Sequence, residues 1–301
     1  MKTTLLRWFL VCLAVTIATS PSAFAQRQLG KKKGPTSKIY VAGSTGESQI
    51  QSGDKIYTAR QATAFDAPGT IIETKEGSNN TMVYSNGTGM FIDANTRVEI
   101  NRFVQEPFKP ERNASVEAPV EPSISQSDVH VARGAVGVCT SQLVSGSTMN
   151  YSTPQGSVNI RGGKVSIETN ANETIVDLLD GDITVRGGDR DVGGQVVRPG
   201  ERAVITPGPV GQPPRVTVSQ IPPERLQALD ERVSIACNAK RTVTFEVIEQ
   251  KAALGLDASP SATGGTGSDG GDSNQEIVPK PTVPEQLPVN VVVSPDRLPG
   301  K

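Results

Sequence analysis

The chain has 301 residues, with 30 basic and 31 acidic side chains and a formal net charge of −1 at pH 7. This balance argues against general nucleic-acid binding, whose affinity comes largely from cationic side chains on phosphates. Aromatic residues make up only 4% of the chain, which weighs against a ligand cleft lined by aromatic rings.

Residues 1–25 have the three-part pattern of a secretory signal peptide. Lys2 and Arg7 form a charged end, an apolar run spans Trp8 to Ile17, and small residues precede a cleavage position after Ala25. An apolar helix of about ten residues is about 15 Å long, half the thickness of a hydrocarbon core. This length favours a cleaved signal over a membrane anchor, and it predicts a periplasmic or secreted protein.

Cleavage removes two basic residues and no acidic one, so 28 basic residues stand against 31 acidic ones, a formal charge of −3. Residues 26–37 are polar, basic and glycine-containing, which predicts a flexible leader. Cys139 and Cys237 remain, in a compartment expected to be oxidising. A disulfide between them and two buried free thiols are both compatible with the sequence.

Residues 38–220 contain short segments of alternating polarity, separated by Gly, Pro, Asn and Asp, which predicts an antiparallel β domain. The clearest segments are Lys38–Val41, Thr81–Tyr84, Arg97–Ile100 and Val129–Val131. Asn86-Gly87 predicts a tight hairpin between Thr81–Tyr84 and Met90–Ile92. Residues 107–127 are rich in Pro, Glu and Ser, which predicts a long surface connection.

The second half of this region repeats a glycine followed by alternating apolar residues. The units begin at Gly134, Gly156, Gly163 and Gly181. We interpret each glycine as a place where the backbone reverses before a new strand. The uneven spacing of the units favours an antiparallel β-sandwich or jelly roll over a periodic solenoid.

Residues 221–256 read as a helix plus strand extension. Pro222, Pro223 and Glu224 form a helix-opening signal. The apolar residues on one helical face, predicted to pack on the β domain, are Leu226, Leu229 and Val233. Thr242–Val247 returns to strand alternation, although the residues that follow are also compatible with a continued helix.

Residues 257–301 consist largely of Gly, Ser, Asp and Pro, which predicts a disordered tail. Near its end, Val291, Val292 and Val293 form a strand-competent stretch between Pro288 and Pro295. This stretch is either an adhesive segment of the tail or a docking strand that adds to an exposed sheet edge.

The sequence lacks the common catalytic motifs. His130 is the one histidine, and it lies in an alternating segment without a nearby nucleophile motif. One His and two distant Cys do not have zinc-ligand spacing. The acidic residues that could hold calcium, but that read as turn residues, are Asp177, Asp180, Asp182, Asp189 and Asp191. We predict no catalytic residue, cofactor or metal, although distant strands could still supply paired carboxylates for glycan hydrolysis.

Three stretches of the second half carry a shared set of glycine-containing motifs. Residues 153–163 read Thr-Pro-Gln-Gly-Ser-Val-Asn-Ile-Arg-Gly-Gly, residues 174–185 end in Leu-Leu-Asp-Gly-Asp-Ile-Thr-Val, and residues 197–201 read Val-Arg-Pro-Gly-Glu. Together they resemble the FecR-type periplasmic domain, whose family shows T-P-x-G-x-V-x-V-R-G-T, V-x-V-L-E-G-x-V-x-V and a final P-G-E/Q turn. The resemblance implies an all-β extracytoplasmic domain with a binding role.

The sequence departs from that family at two points. Gly163 stands where the family has threonine, and a cleavable signal stands where the founding regulators have a cytoplasmic domain and a spanning helix. The resemblance therefore does not imply a relay to a sigma factor.

These observations predict a non-enzymatic exported protein that binds an envelope protein or polysaccharide, and envelope sensing or signalling is one role open to such a protein. Arg161 and Arg186, each followed by two glycines, are candidate partner contacts, or else ordinary arginines at strand ends. A structural component of the envelope is the alternative function, and a glycan-active enzyme is the third.

Overall fold

The computed structural model describes residues 37–108, 119–188, 191, 193–209, 211–250 and 274–281. The predicted signal peptide, all of the leader except Ser37, and Val291–Val293 lie outside these residues. The described residues form seventeen β-strands and one α-helix. This composition confirms the prediction of an all-β fold with one helix near the C-terminus.

In chain order the strands are β1 (Lys38–Thr45), β2 (Ser48–Ser52), β3 (Lys55–Thr58), β4 (Ala64–Asp66), β5 (Thr70–Thr74), β6 (Asn79–Tyr84), β7 (Gly89–Ile92), β8 (Arg97–Gln105), β9 (Ser125–Thr140), β10 (Thr148–Ser152), β11 (Ser157–Thr169), β12 (Thr174–Arg186), β13 (Gln195–Val197), β14 (Glu201–Thr206), β15 (Arg215–Gln220), β16 (Val243–Gln250) and β17 (Asn274–Pro281). The helix α1 is Pro223–Ala239, and a 3₁₀ turn follows at Lys240–Thr242. The predicted hairpin at Asn86-Gly87 joins β6 to β7, with Gly87 at a φ of +84°.

The first fifteen strands form one connected sheet that folds into two layers, because the two halves of β9, β11 and β12 pair with different neighbours. The first layer, which we name the open sheet, has the order β3-β2-β5-β8-β9-β10-β11-β12-β13. The second, the covered sheet, has the order β4-β1-β6-β7-β9-β11-β12-β14-β15. Their packing is the predicted sandwich.

The core lies between the two layers and takes buried apolar side chains from both. On β9, Val129 and Val131 come from the open sheet, whereas Val136 and Val138 come from the covered sheet. Each such side chain stabilises the fold by about 1.5–3 kcal/mol. Alternation of apolar residues on each strand therefore accounts for the sandwich.

Three of the four glycine units were interpreted wrongly as reversals of the chain. Gly134, Gly163 and Gly181 lie inside β9, β11 and β12, where each strand passes from one layer to the other. Their φ angles are +90°, +119° and +107°, which L-residues with side chains rarely adopt. A Cβ on Gly163 would lie 2.0 Å from the Asp180 carbonyl oxygen. The glycines therefore bend the strands and let them touch at the bend.

Helix α1 begins at Pro223, as the proline pair predicts, and crosses the outer side of the covered sheet. Leu229 and Val233 are buried as predicted. Leu226 is 42% exposed, because it lies in the first turn, where the chain leaves edge strand β15. The segment after the helix is strand β16, the first of its two predicted conformations.

Two predicted boundaries differ from the structure. Within the predicted surface connection, Glu121 is buried and Ser125–Ser127 already belong to β9. Within the predicted disordered tail, Asn274–Pro281 forms β17 and pairs with β16 along its length. Backbone ladder bonds do not depend on apolar composition, so a composition averaged over the whole tail does not reveal this strand.

Candidate functional site

Both arginines predicted as partner contacts lie on the open sheet. Arg161 is exposed on β11, where the pairing register with β12 shifts. Arg186 is exposed at the end of β12 and pairs with Ser157. Because Ser157 lies four residues before Arg161, the two arginines are about 13 Å apart along the strand. They border a common surface and do not form one cationic cluster.

Between these arginines, the outer side of the open sheet carries amides and hydroxyls from neighbouring strands. Asp128, Asn150, Asn159 and Thr184 are cross-strand partners in one row over β9 to β12. The row is about 14 Å long, since adjacent strands lie about 4.8 Å apart. Asn150 Nδ2 donates to Asp128 Oδ1 at 3.4 Å. Among the described residues, the side chains of Asn159 and Thr184 form no hydrogen bond, so their polar groups can reach a partner.

A second row runs beside the first. It contains Glu99 of β8, His130 of β9 and Ser152 of β10. His130 Nδ1 lies 3.0 Å from Ser152 Oγ, and Ser152 Oγ lies 3.4 Å from the Val129 carbonyl oxygen. The Arg97 Nε group donates to Glu99 at 2.9 Å. The sequence analysis missed the His130–Ser152 contact, because only the parallel pairing of β9 with β10 brings the two residues together.

We name this surface the open face and define it by Asp128, His130, Asn150, Ser152, Asn159 and Thr184. All six side chains are partly exposed. Donors and acceptors recur about every 4.8 Å across the strands and about every 6.8 Å along them. Such an array can exchange many hydrogen bonds with an extended polar partner. Its Ser–His contact lies on the outer side of a sheet, where the Glu99 carboxylate is already bound by Arg97.

The outer side of the covered sheet has the opposite character. Tyr40, Ala42 and Val83 form an apolar cluster with Val243 and Phe245, from the segment after the helix. Next to it, Phe91 and Cys139 pack against Val233 and Ala236 of α1. This apolar surface is therefore enclosed by the C-terminal elements of the same chain.

Two glycines let the helix approach the covered sheet. A Cβ on Gly89 of β7 would lie 1.9 Å from the Ala236 carbonyl oxygen, and one on Gly137 of β9 would lie 2.8 Å from that of Arg232. Real Cβ contacts are longer than this, so any larger residue would push the helix outward. The sequence analysis noted glycine only as a turn signal and missed this role.

A covalent bond and ion pairs attach the helix. Cys139 of β9 and Cys237 of α1 form a disulfide, with their Cα atoms 5.1 Å apart. The sequence left open whether these cysteines form a disulfide or stay as free thiols, and the structure contains the disulfide. Arg232 Nη2 lies 3.0 Å from Asp93 Oδ2, and Arg225 Nη2 lies 2.8 Å from Glu168 Oε2. The helix is therefore held along its whole length.

Two of the acidic residues considered for calcium, Asp177 and Asp191, are engaged within the chain. Asp177, 2% exposed, accepts two hydrogen bonds from Arg202, at 2.6 and 3.0 Å, and this carboxylate raises the pKa of the Arg202 guanidinium. The backbone N–H groups of Gly187 and Gly194 donate to Asp191 and hold its pKa below the usual value. No group of three or more metal-ligating side chains occurs within the described ranges, and Asp189 lies outside them.

The T-P-x-G stretch that carries the family resemblance is a buried polar cluster. Thr174 Oγ1 contacts Thr153 Oγ1 at 2.8 Å and Gln155 Oε1 at 2.7 Å. Thr169 Oγ1 donates to the same Gln155 oxygen at 3.0 Å. The hydroxyls hold the β10–β11 turn against the β11–β12 turn, so the buried residues of this stretch close one end of the sandwich.

A second buried polar cluster surrounds Glu121. Its carboxylate accepts from Ser125 Oγ at 2.6 Å and from the Val144 backbone N–H at 2.9 Å, and Asn86 Nδ2 donates to Ser125 Oγ at 3.1 Å. These bonds join the start of β9 to the β6–β7 hairpin. Nothing in the Pro-, Glu- and Ser-rich sequence indicates that this glutamate is buried.

No family model matches the chain, and no curated protein matches it. Among solved structures it is similar to two crystal structures of a candidate anti-sigma factor from Parabacteroides distasonis, at 2.50 and 1.65 Å resolution. The first shows 14% identity and a TM-score of 0.38 over 52% of this chain and 62% of that one. The second shows 13% identity and a TM-score of 0.37 over 52% and 63%. The chain thus spans less than two thirds of either protein, and this likeness carries no functional conclusion.

The described residues contain no helix with the length and apolar character needed to cross a bilayer.

Proposed function

We propose that this chain is an exported, non-enzymatic binding protein of the FecR type, which recognises an envelope protein or polysaccharide through the open face. The observation that carries the proposal is the contrast between the two outer sides of the sandwich. One carries apolar clusters that the chain itself encloses, whereas the other carries polar groups that no described element covers. A polar surface that the fold does not use is available to a partner.

Three further observations support the proposal. The signal-like sequence of residues 1–25 and the Cys139–Cys237 disulfide both suit an oxidising compartment outside the cytoplasm. The residues that resemble the FecR type lie in β11 and β12, the strands that belong to both layers, and in the turns before β11 and between β13 and β14. Arg161 and Arg186 border the open face and would contribute cationic donors to a partner.

The proposal of a non-enzymatic role rests on the surroundings of His130. In a hydrolytic triad the imidazole takes a proton from serine with one nitrogen, while its other nitrogen is held by a carboxylate. Here Nδ1 faces Ser152, and the Glu99 carboxylate is engaged by Arg97. We therefore assign the His130–Ser152 contact to surface hydrogen bonding.

Site-specific photocrosslinking in exporting cells tests the binding surface. A photoreactive residue at Asn159 or Thr184 should yield a covalent adduct, whereas one at exposed Leu226, on the helix side, should not. Peptides from a second protein in the digested adduct would indicate a protein partner, and muramidase-sensitive adducts would indicate a peptidoglycan partner. Adducts from Leu226 alone, or from none of the three positions, would contradict the proposal.

Extraction separates a binding protein from a structural component of the envelope. A soluble binding protein should leave the cells on osmotic shock. A tethered component should need detergent or muramidase, and that result would favour the alternative. Activity on a glycan that is lost on a single carboxylate substitution would instead favour an enzyme.

A further inference from the structure

One edge of the open sheet is exposed and apolar. Strand β3 pairs only with β2 among the described strands, and all four of its residues are exposed. Ile56 is 67% exposed, the largest value among the large apolar side chains described, and Tyr57 is 39% exposed. Natural proteins usually shorten, charge or cover such an edge, because its free N–H and C=O groups invite another strand.

The bonds to β2 show which backbone groups of β3 are free. The Ala59 N–H donates to the Ser48 carbonyl, and Lys55 pairs with Ser52 next to a two-residue turn. Alternation along the strand then directs the backbone groups of Lys55, Tyr57 and Ala59 toward β2. Those of Ile56 and Thr58 point away from it, toward solvent.

The charges that flank the strand are complementary under a two-fold axis. Asp54 and Arg60 are both exposed, and neither forms an ion pair within the described residues. They lie six residues apart, about 20 Å in extended chain, so they cannot reach each other within one copy. In an antiparallel pairing of two β3 strands centred on Tyr57, Asp54 of each copy faces Arg60 of the other.

The same register satisfies the backbone. It places Ile56 opposite Thr58 of the second copy, and both residues have free backbone groups, so they form a hydrogen-bonded pair on each side of the axis. Lys55 would discourage edge pairing by most partners, but in this register it faces the small Ala59. A register centred on Ile56 instead places Asp54 opposite Thr58 and leaves both charges unpaired.

We propose that two copies of this chain pair through β3 in the register centred on Tyr57. The two open sheets then form one sheet across the dimer, and the two open faces lie on the same side of it. A long polar partner could engage both faces, which raises its apparent affinity without new contacts. The short edge makes this a small interface, of the size typical of weak association.

Charge exchange tests the register by sedimentation velocity over a series of protein concentrations that extends to the order of a millimolar, as a weak association requires. The unchanged protein should sediment as a dimer, and Asp54→Arg or Arg60→Asp alone should shift it to a monomer. Combining the two changes restores opposite charges and should restore the dimer. Both positions are exposed, so thermal melting should show all three variants folded. A monomeric unchanged protein, or a dimer that is insensitive to the single changes, would overturn the proposal.

Cross-linking tests the same geometry by another route. Tyr57 faces Tyr57 of the second copy in a non-hydrogen-bonded pair, whose Cα atoms are about 4.5 Å apart. Tyr57→Cys should therefore form a covalent dimer on mild oxidation. Ile56→Cys is the matched control. Position 56 of one copy and position 56 of the other are diagonal neighbours, about 7–8 Å apart, and are therefore too far apart to cross-link readily. Equal cross-linking of the two variants would overturn the register. Both readouts are independent of the partner proposed for the open face.

Discussion

The two outer sides of the sandwich are built on the same three long strands but have opposite surroundings. The first half of β9 alternates between buried and partly exposed residues, whereas from Ala135 to Thr140 every residue is buried. The change occurs at Gly134, where the strand passes beneath the helix. A strand thus owes its second buried face to whatever packs on it. Substitutions on the covered side should therefore cost stability, and substitutions on the open side should cost binding.

The largest effect is expected from removing the disulfide. Replacing Cys139 and Cys237 together by alanine should lower the free energy of unfolding by about 4 kcal/mol, because the bond closes a loop of nearly one hundred residues. Urea unfolding of the purified variant measures this loss. A loss below about 1 kcal/mol would mean that packing alone holds the helix.

The next largest effect is expected at the buried ion pair of the covered side. Asp177→Asn removes the partner of Arg202 and should cost about 3 kcal/mol, because a largely buried guanidinium then lacks its counter-charge. The exposed pair Glu47–Lys75 is the matched control, and Glu47→Gln should leave the free energy of unfolding almost unchanged, because solvent screens this pair. Similar losses for the two variants would contradict the burial argument.

Adding a side chain at the contact between the helix and the covered sheet should lower the free energy of unfolding by a smaller amount. Gly89→Ala places a Cβ against the Ala236 carbonyl and should cost about 2 kcal/mol through displacement of the helix. In the control Gly43→Ala, the new Cβ would be 3.6 Å from its nearest neighbour, so little change is expected. Thermal unfolding of both variants compares the two positions. Equal melting temperatures would show that the helix moves freely.

High pH should lower the free energy of unfolding of the whole sandwich, because the two layers share one core. Burial raises the pKa of Tyr84 and of Tyr151 above the usual value of 10.0, so the folded state keeps both phenols protonated. Stability is therefore complete below pH 10 and falls as the pH rises above it, by about 1.4 kcal/mol per pH unit for each such tyrosine.

Urea unfolding at pH 9 to 11 measures this dependence. Tyr151→Phe should make it less steep, with the part due to Tyr84 remaining, whereas Tyr57→Phe, at an exposed position, should leave it unchanged. A pH dependence equally steep in the Tyr151 variant and the unchanged protein would assign the alkaline loss to other groups.

The smallest effect on stability is expected on the open face. The triple change Asn150→Ala, Asn159→Ala and Thr184→Ala should alter the free energy of unfolding by less than about 1 kcal/mol, because these side chains are partly exposed. In the otherwise unchanged protein, a photoreactive residue at position 186, in place of Arg186, should also yield a covalent adduct. The triple variant with the same photoreactive residue should not yield that adduct. Large destabilisation would show that the open face serves the fold.

Local patterns predicted the helix and about half of the strands. The alternation of Thr81–Tyr84 and the Asn86-Gly87 pair specify β6 and its turn through nearest neighbours alone. The proline pair before Glu224 likewise starts the helix at the predicted place. These features depend on interactions within a few residues, so the sequence contains all the information they need.

Features that depend on distant partners could not be predicted. Gly163 and Gly181 read as turns, since a glycine indicates an unusual φ but does not show whether the chain reverses or bends. The burial of Glu121 depends on the distant backbone N–H of Val144, and the formation of β17 depends on β16. The sequence analysis named Arg161 and Arg186 as candidate contacts, and this stays a prediction, whereas it did not name Asn150, Asn159 and Thr184 of the open face.

By itself, the sequence determined that this protein is a β-sandwich with one helix, because alternating polarity and turn residues act over a few positions. Only the tertiary structure decided which side of each long strand is enclosed and which stays open. That choice depends on where α1 lies and on the contact that Gly89 and Gly137 permit. It joins residues up to about 150 positions apart, a distance over which no local pattern carries information.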